Sequence, residues 1–129
     1  MLYGSETWPL KEDDLKRLER NDNRMTRWMC GVTLQQKISS SEIRNRLQLC
    51  SIRECVKRRR LEWFGHLERM EIGTWASRCR NIEIEGSVPK GRTKLTWNEL
   101  IKKDLKDKNL TKEQAQDRVS WKSCIKKNV

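Results

Sequence analysis

Histidine occurs once in these 129 residues, no two cysteines form a C-x-x-C pair, and the six glycines form no phosphate-cradling run. These absences argue against a His-Glu-x-x-His metalloenzyme and against chemistry built on a Gly-rich phosphate loop. No nucleophile stands beside a credible base. Long apolar runs are missing too. The longest uncharged stretch, Trp28–Gln36, is far short of the ~20 residues a helix needs to cross a bilayer, so no membrane partner is expected. Met1–Leu10 lacks a basic segment leading into an apolar core, so no signal peptide is read. The expected location is intracellular, nuclear or cytoplasmic.

Apolar residues are scarce for a packed domain, at 35% against 36% charged, which bounds the chain to one small domain of marginal stability. The six tryptophans partly offset this, since each can bury roughly 200 Å². The five cysteines (Cys30, Cys50, Cys55, Cys79 and Cys124) are odd in number and irregularly spaced. They read as free thiols of a reducing compartment, several of them core fillers. With His66 alone to join them, no metal site and no cofactor are expected.

What is abundant is positive charge. Lys and Arg number 29 against 18 Asp and Glu, a formal net charge of +11. Such an excess points to an anionic partner, with nucleic acid ahead of acidic membrane or acidic protein.

The chain reads as all-α, four to five helices in a small irregular bundle, with a loop or short extended segment around 73–90. A helix is expected from about Glu12 to Cys30. Its first turn carries Glu12, Asp13 and Asp14, Leu15, Leu18, Met25, Trp28 and Met29 follow at helical spacing, and Gly31 ends it. Asp13-Asp14 is read as compensation of the helix dipole rather than as a metal-binding pair. Ser39–Glu42 and Ser51–Glu54 have the form of capping boxes and open two further helices, the second running to about Met70. Thr96–Glu99 opens another. Thr111 with Gln114 opens a last one through Ala115, Val119, Trp121 and Ile125. Between them, Ile82-Glu83-Ile84-Glu85 alternates like a strand without a partner, and Pro89-Lys90-Gly91 forms a turn.

Two basic elements stand out. On the helix from Ile52, the residues Ile52, Val56, Trp63, Leu67 and Met70 fall within about 60° of one another. Arg58 and Arg69 lie opposite this stripe and Lys57 on one flank. Arg59 and Arg60 sit at its edges, where their stems can cover apolar surface while the guanidinium heads reach outward. Lys57, Arg58, Arg59 and Arg60 are therefore candidate phosphate contacts. An ordinary solvated face competes with this reading, because Glu54 and Glu62 can neutralise Arg58 locally. The second element, Lys90, Arg92 and Lys94, surrounds Gly91 just before a helix start, where backbone N–H groups favour anions. His66 is read as a packed or hydrogen-bonding residue, and Trp75 is left open between core and base-stacking roles.

Several segments in order carry a family resemblance: LYGSETW (Leu2–Trp8), LERNDNRMTRWMCG (Leu18–Gly31), RRRLEWFGHLERM (Arg58–Met70), GRTKLTW (Gly91–Trp97) and DRVSW (Asp117–Trp121). Together they resemble the C-terminal part of the endonuclease–reverse transcriptases of non-LTR (LINE-type) retrotransposons. The resemblance implies a thumb-like helical region over 1–70 and a C-terminal basic turn and helical extension over 71–129, one small domain overall. In that family the catalytic aspartates lie in an upstream palm motif of the Phe/Tyr-x-Asp-Asp type, and DNA nicking resides in a separate N-terminal domain. No catalytic residue carries over to this chain, so it is expected not to be an enzyme alone. Thr93 stands where the family's turn often reads Gly-Arg-Pro. The implied partners are RNA, RNA–DNA hybrid or DNA, and a palm region of a parent polymerase. Two other readings compete: a helical protein-interaction module and a transposon relic with no selected function.

Overall fold

The computed structural model describes residues 2–80, 82, 86, 90–91 and 95–126. Six helices occur among them: α1 (Glu12–Met29), α2 (Ser40–Leu47), α3 (Ile52–Glu68), α4 (Trp75–Arg80), α5 (Trp97–Asp107) and α6 (Arg118–Lys126). Short 3-10 turns lie at Ser5–Thr7, Leu34–Gln36 and Glu113–Gln116, and no strand occurs among the described residues. The all-α expectation holds. Of the Ile82–Glu85 alternation only Ile82 is described, and Pro89 of the expected turn also lies outside the described residues.

Local chemistry sets most of the boundaries. The Asp14 carboxylate accepts from the Lys11 backbone N–H at the start of α1, and Gly31 at φ 63° ends it. Thr96 and Glu99 form a reciprocal capping box on α5. Ser39 and Ser51 each cap with the hydroxyl alone, because Glu42 turns to Arg46 and Glu54 lies 3.7 Å from Lys108.

Two expectations fail. The single helix from Thr111 is two elements, the 3-10 turn Glu113–Gln116 and then α6, broken by Asp117 in an extended conformation. The carboxylate of Asp117 accepts from Val119 N–H and its carbonyl from Trp121 N–H, so a fresh helix start forms there. The segment read as loop after Gly73 contains α4. Tertiary contacts hold this short helix: Arg80 pairs with Glu68 at 2.6 Å, and its guanidinium lies 5.4 Å from the Phe64 ring.

Helix α3 is the hub. The Ser5–Thr7 turn, α1, α5, the Glu113–Gln116 turn and α6 all pack against it. Its buried residues are Ile52, Val56, Arg60, Leu61, Phe64, Gly65 and Leu67, which at 100° per residue cover an arc of about 220°. The expected stripe through Trp63 is one edge of that arc, and Trp63 itself is half-buried. The main core joins Leu61 and Phe64 to Ile101, Leu105, Ala115, Trp121 and Ile125, with Trp97 and Leu110 packed against it. Burying each large aliphatic or aromatic side chain there contributes roughly 1.5–3 kcal/mol.

The tryptophans contribute less to that core than composition suggests. Trp121 is 2% exposed, whereas Trp8, Trp28 and Trp75 are exposed at 55%, 84% and 76%. None of the five cysteines is fully buried, so none serves as a core filler.

At the centre, the Trp121 indole N–H donates to the Leu61 carbonyl at 3.0 Å. A Cβ on Gly65 would lie 2.3 Å from the Trp121 Nε1, so only glycine admits this approach. Replacing Gly65 by Ala should lower stability by about 2–3 kcal/mol despite alanine's better helix propensity. Gly73→Ala, which meets nothing within 4 Å, should shift stability by less than about 0.5 kcal/mol. Urea unfolding of both variants checks the contrast.

Candidate nucleic-acid interface

The Lys57–Arg60 run divides once folded. Arg60 is in the core, 4% exposed, with its Nε donating to Asp104 of α5 at 2.7 Å. Its guanidinium does not reach outward as the helix geometry suggested, because α5 packs over that edge of α3. Burial pushes the Asp104 carboxyl above its ordinary value, with Arg60 acting in the opposite sense. Lys57 pairs with Asp107 at 3.0 Å, and its ammonium holds that carboxyl below the usual range. Arg59 is exposed and donates to the Leu2 carbonyl at 2.8 Å. Arg58 is half-buried and makes no ion pair among the described residues. Lys90 is exposed, and Arg92 and Lys94 lie outside the described residues. The run therefore joins α3 to α5 and to the N-terminal turn, leaving Arg58 and Arg59 as its outward members.

A groove of about 940 Å³ lies beside these residues, between the start of α1, α3 and α5. Arg53, Lys57 and Arg60 line it, and so do Glu12, Asp104 and Asp107. The signs are matched side by side, so the groove is a seam of ion pairs rather than an anion site. At its α1 edge Arg53 joins Glu12 at 2.6 Å and also Glu19, and the Glu12 carboxyl is held low by that guanidinium.

A second cleft, about 460 Å³ between α3 and α6, has an uneven balance. Glu62 faces Arg69, Arg118, Lys122 and the exposed His66, with Trp121 and Ile125 behind them. One arm of Arg69 donates to the Ala115 carbonyl, while Arg118 and Lys122 make no ion pair among the described residues. The His66 ring lies 5.4 Å from that of Trp63. The sequence offered little to find this cleft by, since its cations come from two helices about 50 residues apart. Trp75, exposed, has the Arg78 guanidinium 5.9 Å from its ring.

Among the described residues, no group of three or more His, Cys, Asp or Glu side chains could hold a metal ion. Asp14 caps α1 and Asp13 is exposed beside it, which places them as helix-start carboxylates. Burial raises the Cys55 thiol above its ordinary value, so it is a poor nucleophile at neutral pH. No helix among the described residues is long and apolar enough to cross a membrane.

The fold defines a small, basic, all-α module with a charge-matched groove and one cleft whose balance is cationic. The chain is 27% identical over 143 aligned positions to a protein of Caenorhabditis elegans named as uncharacterized and transposon-derived. The match takes in the whole chain and 50% of that protein, so the chain spans about half the length of the curated relative it matches. This similarity supports a transposon-related origin. No family model matches the chain, and no solved structure matches it.

The buried pair gives a stability test. Asp104→Ala should destabilise by about 3–5 kcal/mol, because it strands a buried guanidinium. The double variant Arg60→Met with Asp104→Leu should fall much closer to wild type, as measured by urea unfolding. Similar losses in the single and double variants would contradict this assignment. Acid titration gives another. The lowered carboxyls of Glu12 and Asp107 bind fewer protons folded than unfolded, so their contribution is present above the unfolded pKa and lost as pH falls through the folded one. Asp104 has the opposite sign: its folded pKa is raised, so the stability linked to its proton declines as pH rises through that value. Asp107→Asn should therefore flatten the acid limb of a stability–pH curve, and an unchanged limb would contradict the Lys57 pairing.

Proposed function

We propose that the chain is a thumb-like and C-terminal piece of a non-LTR retrotransposon reverse transcriptase, and that it binds RNA, RNA–DNA hybrid or DNA without sequence preference. The observation that carries the binding reading is where the charge goes on folding. Eight carboxylates (Glu12, Glu19, Asp22, Glu42, Glu54, Glu68, Asp104 and Asp107) take part in ion pairs among the described residues. Nearly equal numbers of bases and acids are used in these pairs, so among the described residues the charges outside them are more one-sidedly cationic than the overall composition. Arg58 and Arg59 on α3, Arg69, Arg118 and Lys122 at the α3–α6 cleft, and the Lys90, Arg92 and Lys94 segment are the proposed backbone contacts. Lys57 and Arg60 support the surface from beneath.

The family origin rests on the ordered motifs together with the transposon-derived relative. Polymerisation is assigned to a palm region that the chain does not itself contain, with which the piece would act in a parent enzyme. A second reading, a helical protein-interaction module, is favoured by Met25, Met29 and Leu34, which stand 52%, 65% and 80% exposed at and just beyond the end of α1.

Fluorescence anisotropy against unrelated RNA, hybrid and DNA oligonucleotides tests the nucleic-acid reading. Affinities should be similar across sequences and fall with salt, with a log–log slope of about −0.7 to −0.9 per phosphate contacted. Neutralising Arg58, Arg118 and Lys122 together should weaken every complex alike and make the slope shallower by about two to three. Absence of binding at low salt would overturn the reading, and protein-concentration-dependent association in its place would favour the interaction module.

A further inference from the structure

The cations of α1 are sorted by face. Its inner side carries Glu12, Glu19 and Asp22, which pair with Arg53 and Arg44, while Asn23 also accepts from Arg44 at 2.8 Å. Thr26 is the one fully buried residue of this helix and Leu15 and Leu18 are half-buried, so its acids and these apolar residues together attach α1 to α2 and α3. The outer side carries Arg17, Arg20, Arg24 and Trp28, at spacings of three, four and four residues, within about 80° of one another.

All three arginines are exposed. Arg17 and Arg24 make no ion pair among the described residues, and Arg20 reaches only the Lys16 carbonyl of its own helix, at 3.4 Å. Asp13 heads the row, also exposed and without an ion pair among the described residues. Arg27, between Arg24 and Trp28 in sequence, turns away to the Ile38 carbonyl. The row ends at Trp28, 84% exposed.

A solvated helix face commonly alternates its signs so that residues three and four apart attract. Here Arg17 with Arg20 and Arg20 with Arg24 are like-charge neighbours, and each pair disfavours the free helix. An external polyanion would remove that repulsion. Arg17 to Trp28 spans about 16 Å of helix, the rise of about five stacked nucleotides. The indole face at the end of the row can stack on a base only if that base is unpaired.

We propose that the outer face of α1 is a track for single-stranded nucleic acid, in which Arg17, Arg20 and Arg24 hold successive phosphates and Trp28 stacks an unpaired base. This rests on the nucleic-acid reading above and assigns it a strand preference and a site that the Lys57–Arg60 run did not suggest.

The test uses the full chain with a labelled oligouridylate of about ten nucleotides, a duplex of matched length, and phosphatidylserine vesicles. Arg17→Gln, Arg20→Gln and Arg24→Gln together should weaken oligouridylate binding and make its salt slope shallower by about two. The charge-matched set Lys102→Gln, Lys106→Gln and Lys112→Gln, all exposed positions elsewhere, should do markedly less. Trp28→Ala should weaken single-strand binding about tenfold with the salt slope unchanged and duplex binding intact, and Trp28→Tyr should restore most of it. Because these side chains are exposed, circular dichroism and urea midpoints should stay at wild-type values. Trp28→Ala is a single surface change that reads the stacking even if the triple variant folds poorly. Equal losses from both triple sets, or an unaffected Trp28→Ala, would overturn the track while leaving general nucleic-acid binding in place. A wild-type chain that binds no oligonucleotide would overturn both. Arginine-dependent binding to vesicles without binding to oligonucleotides would assign the face to membranes instead.

Discussion

The missing side chain at Gly65 is the constraint on which the packing turns. Glycine inside a helix costs about 1 kcal/mol relative to alanine, and here it lies mid-helix in α3. In exchange the Trp121 indole approaches the α3 backbone closely enough to donate to the Leu61 carbonyl. That one contact fixes α6 against α3, seats Trp121 beside Phe64 with ring centroids 6.1 Å apart, and closes the core in which Ala115 and Ile125 are also buried. A lean apolar supply makes such a contact worth more than in a larger domain, since few other large side chains are fully enclosed.

Four of the five segments that carry the family resemblance meet one another in space. The helix motif at Arg58–Met70 supplies Gly65 and Leu61, and the Asp117–Trp121 motif supplies both the indole that docks there and the Asp117 cap that starts α6. Thr96 and Trp97, closing the Gly91–Trp97 motif, cap α5 and donate from the indole to the Glu6 carbonyl at 2.8 Å. That carbonyl belongs to the Leu2–Trp8 motif, whose Leu2 carbonyl also receives Arg59. Residues far apart in the chain are thus mutually required by contact. Much of what looked like a ligand-binding signature is an internal one.

How much could be read in advance follows from the range of each interaction. Capping is local, so the starts of α1, α2, α3 and α5 were legible from serine, threonine and acids within four residues. The Thr111–Gln114 pair marks a start, yet only half of that box forms, with the Thr111 N–H donating to the Gln114 side chain, and the helix proper begins at Asp117. Helix α4 has Thr74 directly before it, but that hydroxyl donates back to the Glu71 carbonyl, and Glu68 and Phe64, which hold Arg80, come from the preceding helix. The burial of α3 was misjudged in width for the same reason: periodicity within one helix shows one apolar stripe, whereas α3 is enclosed by neighbours on several sides. Arg60 illustrates the cost. A cation at the edge of a stripe reads as outward-reaching until α5 is known to bring Asp104 to it.

Charge therefore has to be read after pairing rather than before. The densest basic run of the chain is the one most engaged internally, since a hub helix meets carboxylates from several neighbours. Beyond Arg58 and scattered lysines of α5, the unengaged cations gather on two peripheral elements: the outer face of α1, and α6 where it borders the cleft with α3. This follows from geometry, because a helix packed on one side only can direct its acids inward to bind its neighbours and is left with its bases outward. α1 shows that sorting most fully: Glu12, Glu19 and Asp22 tie it to α2 and α3 beside the half-buried Leu15 and Leu18. A polyanion arriving at such a face would meet cations whose anchoring partners are already committed elsewhere, so binding need not compete with the ion pairs that hold the helix to the core.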